Sequence, residues 1–430
     1  LLTPQEFCTA EITKTVFHSS VRYSLQLSQP MNSQPMNSQP DRKPFTSHLV
    51  VLALLGGILA SSGARSYPQL PESEQKKLLT ADTDSSPEQI RKAVEKSIQL
   101  LEKSSAEYLK HRECFSCHHQ AMPIVALKFL QGRGATIDQA NITAQVNHTR
   151  QHLLKNQTQL EQGKGIGGQV DSAGYALWGL ISADHSADDL TDVVVSYLIA
   201  RQPKLSYWKK SGQRPPSEAS HFTTTFVALQ ALSKYARGKN KQTMWNRISS
   251  AEKWLKTEKP RDTEDRVFLL RGLRSIQRLK KADSKQKGLE DDANNSKIKE
   301  LISQQAALLV DQQHEDGGWS QTEKMQSDAY ATGTVLMTLI ELEHLRPHDP
   351  VVLKGIQFLM KTRKPDGSWY VKSRSDPFQE YFETGFPHQT DQFISISATC
   401  WAAMALGTQI PLSKKSPAKN HKSKSQVKKS

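Results

Sequence analysis

The sequence predicts an all-helical chain assembled from about six pairs of outer and inner helices. Three observations carry that prediction. No stretch alternates apolar and polar residues with strand period over a convincing length. Three segments share one spacing: an apolar pair, then Gln or Arg, then a turn that ends in Trp. After each of those turns runs an apolar helix rich in Ala, Ser, Thr and Gly, while the flanking helices carry Lys, Glu and Gln.

The shared register is literal. Phe358-Leu359 leads to Arg363 and Gly367-Ser368-Trp369; Leu308-Leu309 leads to Gln313 and Gly317-Gly318-Trp319; Tyr197-Leu198 leads to Gln202 and Ser206-Tyr207-Trp208. Each reads as the end of an amphipathic helix whose apolar pair packs inward. A turn follows, with Asp-Gly in two cases, and the Trp folds back over the helix end. Trp208, Trp319 and Trp369, with Gly317 and Gly367, are therefore structural turn residues.

In chain order, the first outer helix spans 87–110 and its inner partner 123–130, with a Cys-rich turn between them. An outer helix at 141–160, a Gly-rich loop at 163–168 and an inner helix at 172–181 form the second pair. That loop follows a helix and lacks the Gly-Lys-Ser/Thr ending, so it is a turn rather than a phosphate cradle. Inner helices follow at 222–232, 266–279, 329–340 and 394–406. The outer helix at 249–257 places Trp254-Leu255 in the apolar-pair position.

The flanks read differently. Residues 1–35 are polar and are set aside as a spurious or disordered extension, with Met31 or Met36 as the real start. Residues 36–64 have the outline of a signal peptide: Arg42 and Lys43, an apolar run at 49–60, then small residues ending at Ala64. A spanning helix needs roughly 20 apolar residues, so export with cleavage near Ala64 is expected, an uncleaved membrane anchor being the alternative. Residues 65–86 are a linker, 87–410 the repeat body and 411–430 a disordered tail. The formal charge of +14 resembles a nucleic-acid signal, but seven tail lysines carry half of it. A solvated tail follows, available to anionic surfaces and with no specific nucleic acid partner.

Reactive chemistry is dense at one place, Cys114-Phe115-Ser116-Cys117-His118-His119. A C-x-x-C-H run supplies two thiols for porphyrin vinyl groups and an adjacent imidazole for iron, and export agrees with c-type haem. Cys114 and Cys117 would anchor haem c, with His118 the proximal ligand and Met122, His111 or a distant His the sixth. Three other readings stand beside it. The thiols could form a disulfide, or hold zinc with His111, His118 or His119. The spacing of Cys117, Gln120 and Met122 also resembles the internal thioester of complement-like thioester domains, although the intervening Gly and Glu are missing. Cys8 lies in the leader, and Cys400 on an apolar helix is packing.

The Gly-x-Trp turns after Gln or Arg, with Lys354-Gly355 ahead of Phe358-Leu359, resemble the QW repeats of squalene and hopene cyclases and prenyltransferase beta subunits. The resemblance implies a closed alpha/alpha toroid of six inner and six outer helices, with a cavity at one end of the inner ring. It also implies an apolar or isoprenoid ligand there. The Asp-x-Asp-Asp acid of class II cyclases has no counterpart, its nearest match being Asp262-Thr263-Glu264-Asp265. A solvated helix N-cap with acidic first-turn residues is the favoured reading of that segment, with Glu264 and Asp265 the weak catalytic candidates. Aromatic residues make up only 7% of the chain, which is poor for guiding carbocations. The expectation is an exported toroid with a haem-bearing turn that works with a redox partner or handles an apolar ligand. A non-enzymatic scaffold and a degenerate terpenoid-modifying enzyme are the alternatives.

Overall fold

The structure, a computed structural model, describes residues 85–238, 240–287, 293–376 and 381–410. The expected leader, signal peptide and basic tail lie outside the described residues. Those residues are helical, with two isolated bridges, Arg214 with Glu218 and Trp319 with Asp328, in place of strands. No helix among them is long and apolar enough to cross a membrane.

Outer helix α1 (Pro87–His111) starts where Ser86 caps the Gln89 amide and Pro87 fixes the first turn. A π-helical turn, Cys117–Ala121, leads into inner helix α2 (Met122–Gly132). Then follow α3 (Gln139–Lys155), short α4 (Gln157–Glu161), α5 (Gln169–Ser182), α6 (Asp189–Ala200), α7 (His221–Tyr235) and α8 (Asn240–Thr257). The chain continues with α9 (Thr263–Lys287), α10 (Ala293–Asp311), α11 (Ala329–Glu341), α12 (Pro350–Thr362) and α13 (Gln392–Gly407).

The inner helices α2, α5, α7, α9, α11 and α13 each pack on the next, and α13 packs back on α2. That last contact closes an alpha/alpha toroid. The small residues of these helices explain how closely they approach: a Cβ added at Gly333 would lie 2.8 Å from the Ala402 nitrogen on α13. A larger residue there would force the two backbones apart.

The repeated turn has one construction. Trp208, Trp319 and Trp369 donate their indole N–H to the carbonyls of Leu198, Leu309 and Leu359 at 2.7, 2.6 and 2.8 Å. Each Trp sits ten residues beyond its acceptor and adds a donor to a carbonyl in the last turn of the outer helix, where intrahelical pairing runs out; the Leu309 and Leu359 carbonyls also accept from the Gln312 and Arg363 amides. The backbone N–H of each Trp in turn donates to a Thr on the following inner helix: Thr225, Thr332 and Thr399, at 3.2, 2.9 and 3.1 Å. One residue therefore fastens an outer helix to the inner ring. Gly317 meets the turn's steric demand, with φ of +86° and its missing Cβ 2.5 Å from the Lys354 carbonyl.

Candidate functional site

The inner helices run in one direction, so their N-terminal turns converge at one end of the ring. The Cys/His turn lies there because it immediately precedes α2. Ser116 organises it: its hydroxyl accepts from the His119 amide at 3.2 Å, and its own N–H donates to Gln120 Oε1 at 2.5 Å. The N–H of Met122 then reaches the Cys117 carbonyl, giving the wide turn. Gln120 is fully buried and its Nε2 has no partner.

His118 and His119 face a cavity of about 150 Å³, set in an indentation of about 850 Å³ counted out to solvent. Tyr381, Phe382 and Phe393 give it aromatic walls, and Arg214 and Glu218 a charged edge. The His118 ring lies 5.5 Å from Phe393 and 4.7 Å from His119. Burial, reinforced by His119 and Arg214, holds His118 well below the usual imidazole range, so it is neutral. Burial likewise pushes His119 down to about 3. His119 stacks on Tyr108 at 4.7 Å and places Nε2 3.3 Å from the Thr384 hydroxyl, while its Nδ1 is buried without a partner.

The two thiols diverge and are not bridged to each other. Cys114 lies by Tyr108, whose hydroxyl is 3.6 Å from the sulfur and donates to the Cys114 carbonyl at 3.2 Å. His148 Nε2 also lies 3.1 Å from that carbonyl. Cys117 turns inward, where burial and then Glu218 raise its thiol well above its ordinary value. Met122 is buried in the core and does not line the cavity. His111 pairs with Glu107 at 3.3 Å.

Zinc requires three or four ligand atoms within about 2.3 Å of one point, whereas a porphyrin takes thiols at its edge and imidazole at its centre. Among the described residues no three of His, Cys, Asp or Glu are grouped for a metal ion. Neither Cys114 nor Cys117 lines the cavity that His118 faces.

The acidic segment departs from expectation. Asp262 does cap α9, accepting from the Asp265 amide at 3.0 Å, but Glu264 is buried rather than solvated, with 3% exposure. Its oxygens accept from the Thr223 hydroxyl at 2.7 Å and the Tyr330 hydroxyl at 3.1 Å. Burial pushes it up to about 8. Asp265, one residue on, is instead tied to Arg261 Nε at 2.7 Å and the Ser220 hydroxyl at 2.7 Å. The two weak candidates therefore separate into an interior acid and a structural ion pair.

Sequence reasoning missed the groups around Glu264. Asp171 on α5 is buried and accepts from Ser211 and Thr224, and burial raises it. Asp328 caps α11 at the Ala331 amide, 2.9 Å away, and burial pushes it up to about 6. Tyr175 lies within electrostatic range of both Glu264 and Cys117. Asp171 and Tyr175 lie in the first two turns of α5 and Asp328 caps α11, and that position was the available signal.

No family model matches the chain, and no curated protein matches it either. Among solved structures, a possible member of the GH105 family from Salmonella enterica serovar Paratyphi A is similar at 12% identity and a TM-score of 0.47. The match covers 75% of this chain and 94% of that one. Two variants of the type II terpene cyclase MstE from Scytonema, in complex with geranylgeranyl dihydroxybenzoate, are similar at 11% and 13% identity. Each has a TM-score of 0.39 and covers 75% of this chain and 99% of that one.

Proposed function

We propose that the toroid is an exported protein in which Cys114, Cys117 and His118 would hold a c-type haem, and that it acts in electron transfer or in handling an apolar ligand. The observation that carries the reading is the state of His118: a neutral imidazole facing an aromatic-walled cavity, two unbridged thiols beside it in the same turn. A bound haem would supply one-electron or ligand-binding chemistry at iron. The protein's own residues have separate tasks. Phe393 and His119 pack against the His118 ring, Thr384 holds His119, and Arg214 brings a cation to the cavity edge.

The test is expression in a host that exports the chain and matures c-type cytochromes. A haem stain that survives denaturation, and is lost in Cys114→Ser or Cys117→Ser, supports the reading. A colourless protein beside a matured control refutes it. The first residue of the purified mature protein tests export.

A second reading rests on Glu264. A carboxylic acid held neutral near pH 7 at the end of an enclosed ring can donate a proton, so the chain could act as a terpenoid-modifying acid catalyst. Turnover of an isoprenoid lost in Glu264→Gln would favour it over the haem reading.

A further inference from the structure

The opposite end of the ring carries a second, unrelated constellation. Two cavities, of about 490 and 260 Å³, adjoin there and share Trp178, Arg271 and Glu341 as a common wall. Their linings differ. The larger combines apolar Val125, Phe129, Trp401 and Met404 with polar Gln131, Ser182 and the pair Lys128 and Asp184, 3.2 Å apart. The smaller is walled by Arg274, Arg278, Gln230, Ser275 and Thr338. A chamber with apolar walls and polar groups thus opens beside a cationic, hydrogen-bonding one; the larger falls in the size range of small-molecule sites and the smaller just below it.

Arg271 stands between them. It is only 8% exposed, and its guanidinium lies over Trp401 at 5.0 Å and Phe226 at 5.4 Å. It donates to the Thr338 hydroxyl at 3.3 Å and pairs with Glu341 at 3.0 Å, yet its Nε is buried with no partner. Arg274 has the same deficit at Nε, and its other contacts are long: Nη1 donates to Gln277 Oε1 at 3.4 Å and Nη2 lies 3.7 Å from the exposed Glu343. Buried guanidinium N–H groups left unpaired cost free energy, and a carboxylate or phosphate oxygen is the partner their fork geometry matches. Glu341 partly occupies that role from the rim, with 37% of its side chain exposed.

We propose that this mouth binds an anionic amphiphile: an oxyanion head, carboxylate or phosphate ester, among Arg271, Arg274 and Arg278, and an apolar body against Trp178, Trp401 and Met404. The site is distinct from the Cys/His end, and its test does not depend on haem. Trp178 and Trp401 make it self-reporting.

Tryptophan fluorescence and titration calorimetry on the full chain would use octanoate, octyl phosphate, octan-1-ol and octyltrimethylammonium. Saturable binding of octanoate or octyl phosphate in preference to the neutral and cationic probes is expected, and the tighter of the two identifies the head. Arg274→Gln/Arg278→Gln, at the more exposed cations, should weaken anion binding about tenfold, the scale of a lost charge-assisted hydrogen bond. Glu341→Gln should tighten it, because the competing carboxylate is gone. If these cations serve only to offset helix C-terminal dipoles, the variants will lower the melting temperature without any anion preference. That result, equal binding of octan-1-ol, or an unchanged double variant overturns the proposal.

Discussion

Replacing Glu264 with Gln should make the protein more stable at pH 8 while leaving it nearly unchanged at pH 4. In the folded chain the carboxyl is raised from 4.5 to about 8 by burial, against the hydrogen bonds from Thr223 and Tyr330 that favour its ionised form. Each tenfold change in an ionisation constant corresponds to about 1.4 kcal/mol, so the shift amounts to on the order of 4 to 5 kcal/mol. The sign follows from proton counting. Between 4.5 and about 8 the unfolded chain has released this proton and the folded chain has kept it, so stability falls as pH rises through that window. Gln has the same shape, can accept from one hydroxyl and donate to the other, and never ionises. Urea unfolding of both proteins at several pH values isolates the residue, because the difference between the two curves cancels every other titration. The expected difference grows steadily from pH 4.5 and levels near 8. Parallel curves would show that Glu264 ionises normally, which would also remove the physical basis of the acid-catalyst reading.

Three further outcomes are expected. Trp369→Phe deletes the indole N–H that reaches Leu359, whose carbonyl keeps only the Arg363 amide at 3.1 Å and the Thr362 hydroxyl at 3.4 Å, and removes buried ring volume, costing about 1 to 3 kcal/mol by urea unfolding; a loss under about 0.5 kcal/mol would mean the turn is not a fastening. Gly317→Ala must accept a positive φ and a Cβ 2.5 Å from the Lys354 carbonyl, and should destabilise by about 2 kcal/mol or more; an unchanged melting temperature would refute this. His119, held near 3, is neutral when folded but protonates in the unfolded chain below about 6.5, so stability should fall as pH drops through that range. His119→Gln should flatten this acid limb, and an unaltered limb would count against the buried neutral imidazole.

The fold was legible because its signals are local and repeated. The ten-residue interval from Leu309 to Trp319 and from Leu359 to Trp369 is set by a hydrogen bond within one outer helix and its turn, so it survives as a sequence pattern. Helix boundaries were blurred where packing extends an element: the outer helix expected at 249–257 begins at Asn240. The site was half legible. The Cys/His turn is contiguous in sequence, but the cavity it faces is completed by Tyr381, Phe382 and Phe393, which lie more than 250 residues later and meet it only because α13 packs on α2. The acidic segment was misjudged for a similar reason. Its composition is that of a solvated first turn, and only ring closure, with Thr223 on α7 and Tyr330 on α11 on either side, removes Glu264 from water.

Magnitudes decide what holds Glu264 neutral. It sits in the first turn of α9, where the helix dipole favours an anion by about 0.3 to 1 kcal/mol, or up to ~2 when partly buried. Two hydroxyl donors favour the anion as well. Burial nevertheless raises the group to about 8, with Asp262 and Asp265 adding in the same direction. Desolvation therefore outweighs every local preference for charge, and above pH 4.5 folding must keep a proton that the unfolded chain would release. An apolar side chain at this position would carry no such cost. The retained acid, facing Tyr330 and within electrostatic range of Tyr175, is thus a destabilising feature at an enclosed end of the ring, and such features are where function is to be sought.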